Sequence, residues 1–256
     1  MIFDTHAHYD ADAFDADRAA VLSALPEAGV ALVLDPGCDG VSSLAALTLA
    51  EAYPHVYAAV GWHPEEWASW DRESMPLLRR LVSLPKVVAV GEIGLDYYWD
   101  REHKALQKEM FERQLCLAAE HSLPVIVHDR EAHEDSLEMI LRYPEIRGVF
   151  HCFSGSAEMA KELIRRGWYL GFDGPVTYKN NKKAAEVLAV TPRDRLLLET
   201  DSPYMAPVPY RGKRNDSRYL PHVAEVIGAH WGIEGAEVER LALENGCRLF
   251  GIPLPE

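Results

Sequence analysis

The chain has 256 residues, is 48% hydrophobic and 26% charged, and carries a formal net charge of −14. Its composition is that of a globular protein long enough for a large core, and its apolar runs are too short and interrupted for a membrane span. The acidic balance excludes broad, sequence-blind binding to duplex nucleic acid, which depends on many cations meeting phosphates, but leaves room for one small phosphate site built from metal ions and a few local cations.

The chain opens MIFDTHAHYD, where an apolar run, Met1 to Phe3, leads a first strand, Ile2 to Thr5, that ends near Asp4, His6 and His8. Further strands are expected at Ala31 to Asp35, Val56 to Gly61, Val87 to Gly91, Pro124 to His128, Gly148 to His151, Trp168 to Phe172 and Arg195 to Thr200. Runs such as VVAVG, VIVH and LLLET are continuously apolar, the pattern of parallel strands covered on both faces. Between them lie helix signatures. Asp15 to Leu25 follows an aspartate-rich start and ends at Pro26 and Gly29. His103 to His121 repeats apolar residues every three or four positions. Ser156 to Arg166 starts on a serine and closes at Gly167. Asn180 to Ala189, Ser217 to His230 and Ala236 to Leu249 complete the series. Eight strand–helix units of about 32 residues each close most naturally into a (β/α)8 TIM barrel. An open doubly wound sheet would share the alternation, but no Gly-x-Gly-x-x-Gly follows the first strand. No linker divides the chain, so residues 1–256 read as one barrel domain.

Polar residues gather at the strand ends. His6 and His8 end the first strand, His63 the third, Glu92 and Asp96 the fourth, His128 the fifth, His151 the sixth, and Glu199 and Asp201 the eighth. In a barrel these ends share one rim, where active sites are built. Four histidines and two carboxylates, His6, His8, Glu92, His128, His151 and Asp201, form a nitrogen and oxygen ligand set suited to Zn²⁺, Mn²⁺, Ni²⁺ or Mg²⁺. His6 and His8 share one side of a strand and can reach one ion. Six side chains exceed what one open site takes, but suit two ions bridged by a carboxylate, for which Glu92 is central. Asp4, on the parity of both histidines, is expected beneath them as a partner to a ligand. His63 is read as a ligand or as a hydrogen-bond donor to substrate, and Glu199 stays open between the rim and a structural pairing.

The loops add cations. YKNNKK (Lys179, Lys182 and Lys183) and YRGKRN (Arg211, Lys213 and Arg214) flank the rim, and the second is read as phosphate-binding. Tyr97, Tyr98, Trp99 and Trp62 either stack a base or pack the loops. CFSGS offers N–H groups at a helix start, and Cys152 within it reads as packing. Cys38, Cys116, Cys152 and Cys247 show no paired short spacing and no leader precedes the first strand, so a reducing, cytoplasmic setting is expected.

The stretches DTHAHYD, GWHPEE, GEIGLDYYWD, QKEMFERQLCLAAEHSLPVIVHDREAHED, HCFSGS and LLLETDSPYMAPVPYRGKRN together resemble the TatD family of metal-dependent hydrolases, amidohydrolase-like TIM barrels. The likeness runs from residue 3 to ENGCRLFGI. It implies a divalent-metal-dependent deoxyribonuclease, a 3′–5′ exonuclease on single-stranded DNA and sometimes RNA, with the six ligands above, Glu92 as bridge and His63 on the substrate phosphate. Two departures are visible: Asp173 in LGFDGP, where a serine is commoner, and Gly246 in the last helix, where alanine is usual. On this reading His6, His8, Glu92 and Asp201 hold one ion, and Glu92, His128 and His151 the other. Activated water attacks phosphorus, Asp201 takes its proton, and His63, Arg211, Lys213 and Arg214 face the phosphoryl oxygens. A monomer acting on an oligonucleotide, away from membranes, is expected. The competing enzyme reading, a barrel hydrolase of a cyclic amide, lactone or phosphoester, usually bridges its metals with a carboxylated lysine, and Glu92 stands at that place. A metal-binding protein without turnover is the competing reading from another class.

Overall fold

A computed structural model describes residues 1–255. Eight strands lie in one parallel sheet in chain order: β1 (Ile2–Asp4), β2 (Val30–Pro36), β3 (Val56–Val60), β4 (Val87–Asp96), β5 (Val125–Arg130), β6 (Gly148–Phe150), β7 (Tyr169–Phe172) and β8 (Leu196–Leu198). The seam between first and last strand is closed by the Thr5 N–H on the Leu198 carbonyl at 3.0 Å and by a parallel bridge of Ala7 with Ser202. The expected (β/α)8 barrel is therefore the architecture found.

Nine α-helices follow among the described residues: α1 (Arg18–Ala24), α2 (Gly40–Ala52), α3 (Ser74–Leu81), α4 (Lys104–His121), α5 (His133–Leu141), α6 (Ala157–Arg165), α7 (Lys182–Val190), α8 (Leu220–Trp231) and α9 (Gly235–Phe250). α6 starts where expected, the Ser156 hydroxyl accepting from the Met159 N–H at 3.2 Å. α9 ends on Gly251 at φ 65°, a left-handed position that glycine adopts freely.

The strands order the side chains by parity. One buried cluster takes Phe3, Leu32, Leu34, Ala59, Ala89, Ile126, Val149, Tyr169 and Leu197, at least one residue from every strand, so it fills the barrel interior. Leu243, Cys247, Phe250 and Ile252 join it and close one end with α9. Two residues beyond Ile126, Val149 and Leu197 stand His128, His151 and Glu199, so the same parity carries these groups up the interior to the rim.

Two boundaries differ in ways that matter. β4 extends to Asp96, pairing Gly94 with His128 and Asp96 with Arg130, so GEIGLD is strand and not the loop after it. Gly94 permits this at φ 145°, because a Cβ there would overlap the His128 carbonyl oxygen. α1 begins later than Asp15, because Asp17 makes no side-chain cap and gives both its oxygens to Arg214.

Candidate metal centre

Four donor atoms face one another, carried by the segments that follow β1 and β8 and by the middle of β4. His6 Nε2 lies 3.1 Å from His8 Nε2, 3.2 Å from Glu92 Oε2 and 3.7 Å from Asp201 Oδ1. His8 Nε2 lies 3.7 Å from Glu92 Oε2 and 3.5 Å from Asp201 Oδ1. A second group surrounds the other Glu92 oxygen. Oε1 lies 2.7 Å from His151 Nε2, 2.9 Å from His128 Nδ1 and 3.5 Å from His63 Nε2, and His128 Nδ1 is 3.2 Å from His151 Nε2. The six residues expected as ligands thus converge, and one carboxylate touches both halves.

This donor set fits divalent cations. Two pairs of ring nitrogens, 3.1 and 3.2 Å apart, meet beside carboxylate oxygens, a crowding of nitrogen and oxygen donors that a divalent cation relieves. Glu92 is 3% exposed, so solvent does not relieve it. Burial opposes the Glu92 charge, but His151, His6, His63 and the hydrogen bond from His128 outweigh it and hold the carboxyl well below the usual range. Asp201 is likewise held down, against burial, by the hydrogen bond from His8 and the neighbouring imidazoles of His6 and His151. Burial and the neighbouring His151 push His6 down to about 4, which keeps its imidazole neutral. His6 and His151 stack in parallel at 4.0 Å.

The ring orientations are set from outside. His128 turns Nε2 to Asp96 Oδ2 at 3.0 Å, leaving Nδ1 for the centre. Asp96 Oδ1 accepts the N–H groups of Tyr98 and Trp99 at 2.9 and 2.8 Å, and the Gln107 side chain holds its backbone. The sequence placed Asp96 at a strand end without a role; an acid four residues after Glu92 in an extended strand was the signal. His63 Nδ1 accepts from the Glu65 N–H at 3.2 Å, so in the neutral ring the proton sits on Nε2, toward the centre. Of the two roles left open for His63, this geometry suits the donor. Asp4 lies beneath the centre as expected but grips backbone: Oδ1 accepts from the N–H groups of His6 at 3.3 Å and Thr200 at 3.0 Å, and Oδ2 from the Thr200 and Ser217 hydroxyls at 2.7 Å each. It aligns the chain that carries His6 with the chain that carries Asp201.

Three further acids line the rim. Glu199 is fully buried, its Oε1 accepting the Cys152 N–H and lying 3.8 Å from His151 Nδ1, and burial pushes its carboxyl well above the usual range. Asp173 is pushed up to about 7 by burial and by Asp201. Asp35, at the end of β2, is buried with neither carboxylate oxygen partnered, and burial with the nearby Asp10 raises it well above the usual range. No sequence signal singled out Asp35 inside an apolar strand.

The YRGKRN cations divide. Arg214 donates to both Asp17 oxygens at 2.7 Å and to the Ala13 carbonyl at 2.8 Å, which spends its guanidinium on tying this loop to the start of α1. Arg211 lies over the Tyr178 ring at 4.3 Å beside Lys179 and Asn180. Lys213 lies over Tyr210 at 5.5 Å. From YKNNKK, Lys183 is turned onto the Ser154 carbonyl at 2.5 Å. No helix among the described residues is long and apolar enough to cross a membrane.

The model of the TatD-related DNase family matches residues 3–251. YabD, a metal-dependent hydrolase of Bacillus subtilis, is 42% identical over 98% of this chain and 100% of its own length. The 3′–5′ ssDNA/RNA exonuclease TatD of Erwinia tasmaniensis is 33% identical over 98% and 100%. The crystal structure of YjjV, a TatD homologue of Escherichia coli, superposes with a TM-score of 0.93 at 33% identity, covering 98% of each chain.

Proposed function

The chain belongs to the TatD-related DNase family of metal-dependent hydrolases, which act on phosphodiester bonds, and from that premise we propose that it shortens single-stranded DNA or RNA from the 3′ end at a centre for two divalent ions. The single observation that carries the two-ion reading is the Glu92 carboxylate, whose Oε2 faces His6 and His8 while its Oε1 faces His128 and His151. Two divalent ions, when bound, supply Lewis acidity to the phosphoryl oxygens and acidify a water.

The side chains supply the rest. Asp201, 17% exposed at its side chain and held ionised, orients the water and takes its proton. The His63 Nε2–H donates to a non-bridging oxygen as charge develops there. Arg211 and Lys213, on the loop after β8, hold backbone phosphates of the strand. Arg214, already paired with Asp17, is left out of that role. The water oxygen joins phosphorus, the bond to the 3′ oxygen of the preceding nucleotide breaks, and that oxygen takes a proton from a solvent water and leaves as a hydroxyl.

The test uses one oligonucleotide labelled at either end, with Mn²⁺ or Mg²⁺. Release of labelled mononucleotide from the 3′ end, its abolition by EDTA, and its loss by at least about a thousandfold in Glu92→Gln are expected. Product first from the 5′ end, or turnover that survives EDTA, would sink the reading.

A further inference from the structure

The aromatic run after Glu92 splits in the structure. Tyr97 and Trp62 are buried, each 5% exposed, whereas Trp99 is 62% exposed and Tyr98 49%. Large exposed aromatic groups on an active rim call for a function, because burying them would be favourable. Trp99 and Tyr98 meet edge to face at 4.8 Å, with the Arg130 guanidinium 4.1 Å above the Tyr98 ring. Across an open cleft of about 580 Å³ stands Trp67, backed by the His103 ring in a parallel stack at 3.7 Å. The cleft adjoins the metal centre, since its wall residue Glu65 has a carboxylate oxygen within 4.8 Å of ring nitrogens of His63 and His128. It is also fixed to that centre, because Asp96 holds both the Tyr98 and Trp99 N–H groups and the His128 ring.

The charge of the cleft chooses its occupant. Glu65, Asp100 and Glu102 line it, Arg101 is paired with Glu131, and the Arg130 guanidinium is taken up by the Tyr98 and Trp99 rings, at 4.1 and 5.4 Å. Carboxylates repel a phosphate but accept hydrogen bonds from a neutral ring bearing N–H groups. A flat, uncharged, N–H-bearing group tethered to a phosphate at the metals is a nucleobase.

We propose that the cleft between Trp67 and Trp99 takes an unpaired nucleobase adjoining the scissile phosphate, stacked on Trp99, and so gives the enzyme its preference for single strands. This rests on the function proposed above. A base paired and stacked in a duplex cannot enter without being pulled out, whereas a single strand offers every base face at no such cost.

The holoenzyme and a phosphorothioate oligonucleotide that resists hydrolysis provide the test, with a matched strand lacking the base next to the terminal linkage. The base-bearing strand quenches tryptophan fluorescence and the abasic strand does so weakly. Trp99→Ala raises the KM of the natural base-bearing strand about tenfold or more, with kcat little changed, and removes the difference between base-bearing and abasic strands. Trp99→Phe keeps most of that difference. Equal binding of the two strands by the wild type, or an equal rise of both KM values in Trp99→Ala, would overturn the proposal. Bis(p-nitrophenyl) phosphate, too small to span centre and cleft, reports the centre alone. If the wild type fails to hydrolyse it with metal present, the phosphodiesterase reading has failed; if it does so while both strands bind alike, only the cleft has.

Discussion

At the scale of residues, the centre is organised by what its ligands touch behind them. Asp96 orients His128 and the Tyr98–Trp99 turn together. Asp96→Asn keeps the shape but places an amide against His128 Nε2. Metal affinity is expected to fall about 10–100-fold, with activity largely restored by excess Mn²⁺; a metal titration of activity checks this, and an unchanged titration curve would show that Asp96 does not support the ligand. His63 acts differently. On the function proposed, its Nε2–H donates toward the substrate, so His63→Ala is expected to lower kcat about a hundredfold with metal content unchanged. Elemental analysis separates the two cases, since loss of an ion in His63→Ala would make it a ligand. The six residues that converge on the centre were legible in the sequence because each stands at the end of an apolar run. Asp35 was not, because a carboxylate inside VALVLDP looks like the polar end of a strand, and only three-dimensional burial exposes its lack of a partner.

At the scale of elements, the order of strands was legible from continuous apolar runs, and the failures came where local chemistry overrides periodicity. β4 runs five residues past its expected end at Gly91 because Gly94 lets it lie against β5. α2 carries apolar and small residues on every side, so no stripe marked it, although Asp39 and Ser42 form a capping box at its start. The Arg214–Asp17 pair was illegible because its partners are 197 positions apart. The turn after β4 is fastened to α5 by the Tyr97 hydroxyl, which donates to Asp135 Oδ2 at 2.6 Å. Tyr97→Phe is expected to cost about 1 kcal/mol at neutral pH. Lys108 and Tyr97 hold the Asp135 carboxyl below its usual 3.8. A depressed folded value stabilises above the unfolded one and is lost as pH falls through the folded one. Denaturant unfolding should therefore show wild type and Tyr97→Phe drawing together below about pH 4; a gap that widens in acid would contradict this assignment.

At the scale of the whole molecule, a net charge of −14 surrounds a rim whose cations are few. Of the YRGKRN cations, Arg214 is already paired, and the function proposed assigns the phosphates to Arg211 and Lys213. Affinity for a single strand should therefore fall only gently with salt, with a log–log slope of about −1 to −2. Fluorescence titration across salt concentrations measures it, and a slope several times steeper would reveal a basic track elsewhere. The barrel accounts for the rest: it gathers donors from positions 6 to 201 onto one rim, so that Glu92 stands between two imidazole pairs. Anomalous diffraction from crystals loaded with Mn²⁺ tests that claim most directly. Two peaks are predicted, one between Glu92 Oε2 and the His6–His8 pair, the other between Oε1 and the His128–His151 pair. A single peak, or peaks that leave Glu92 untouched, would contradict it.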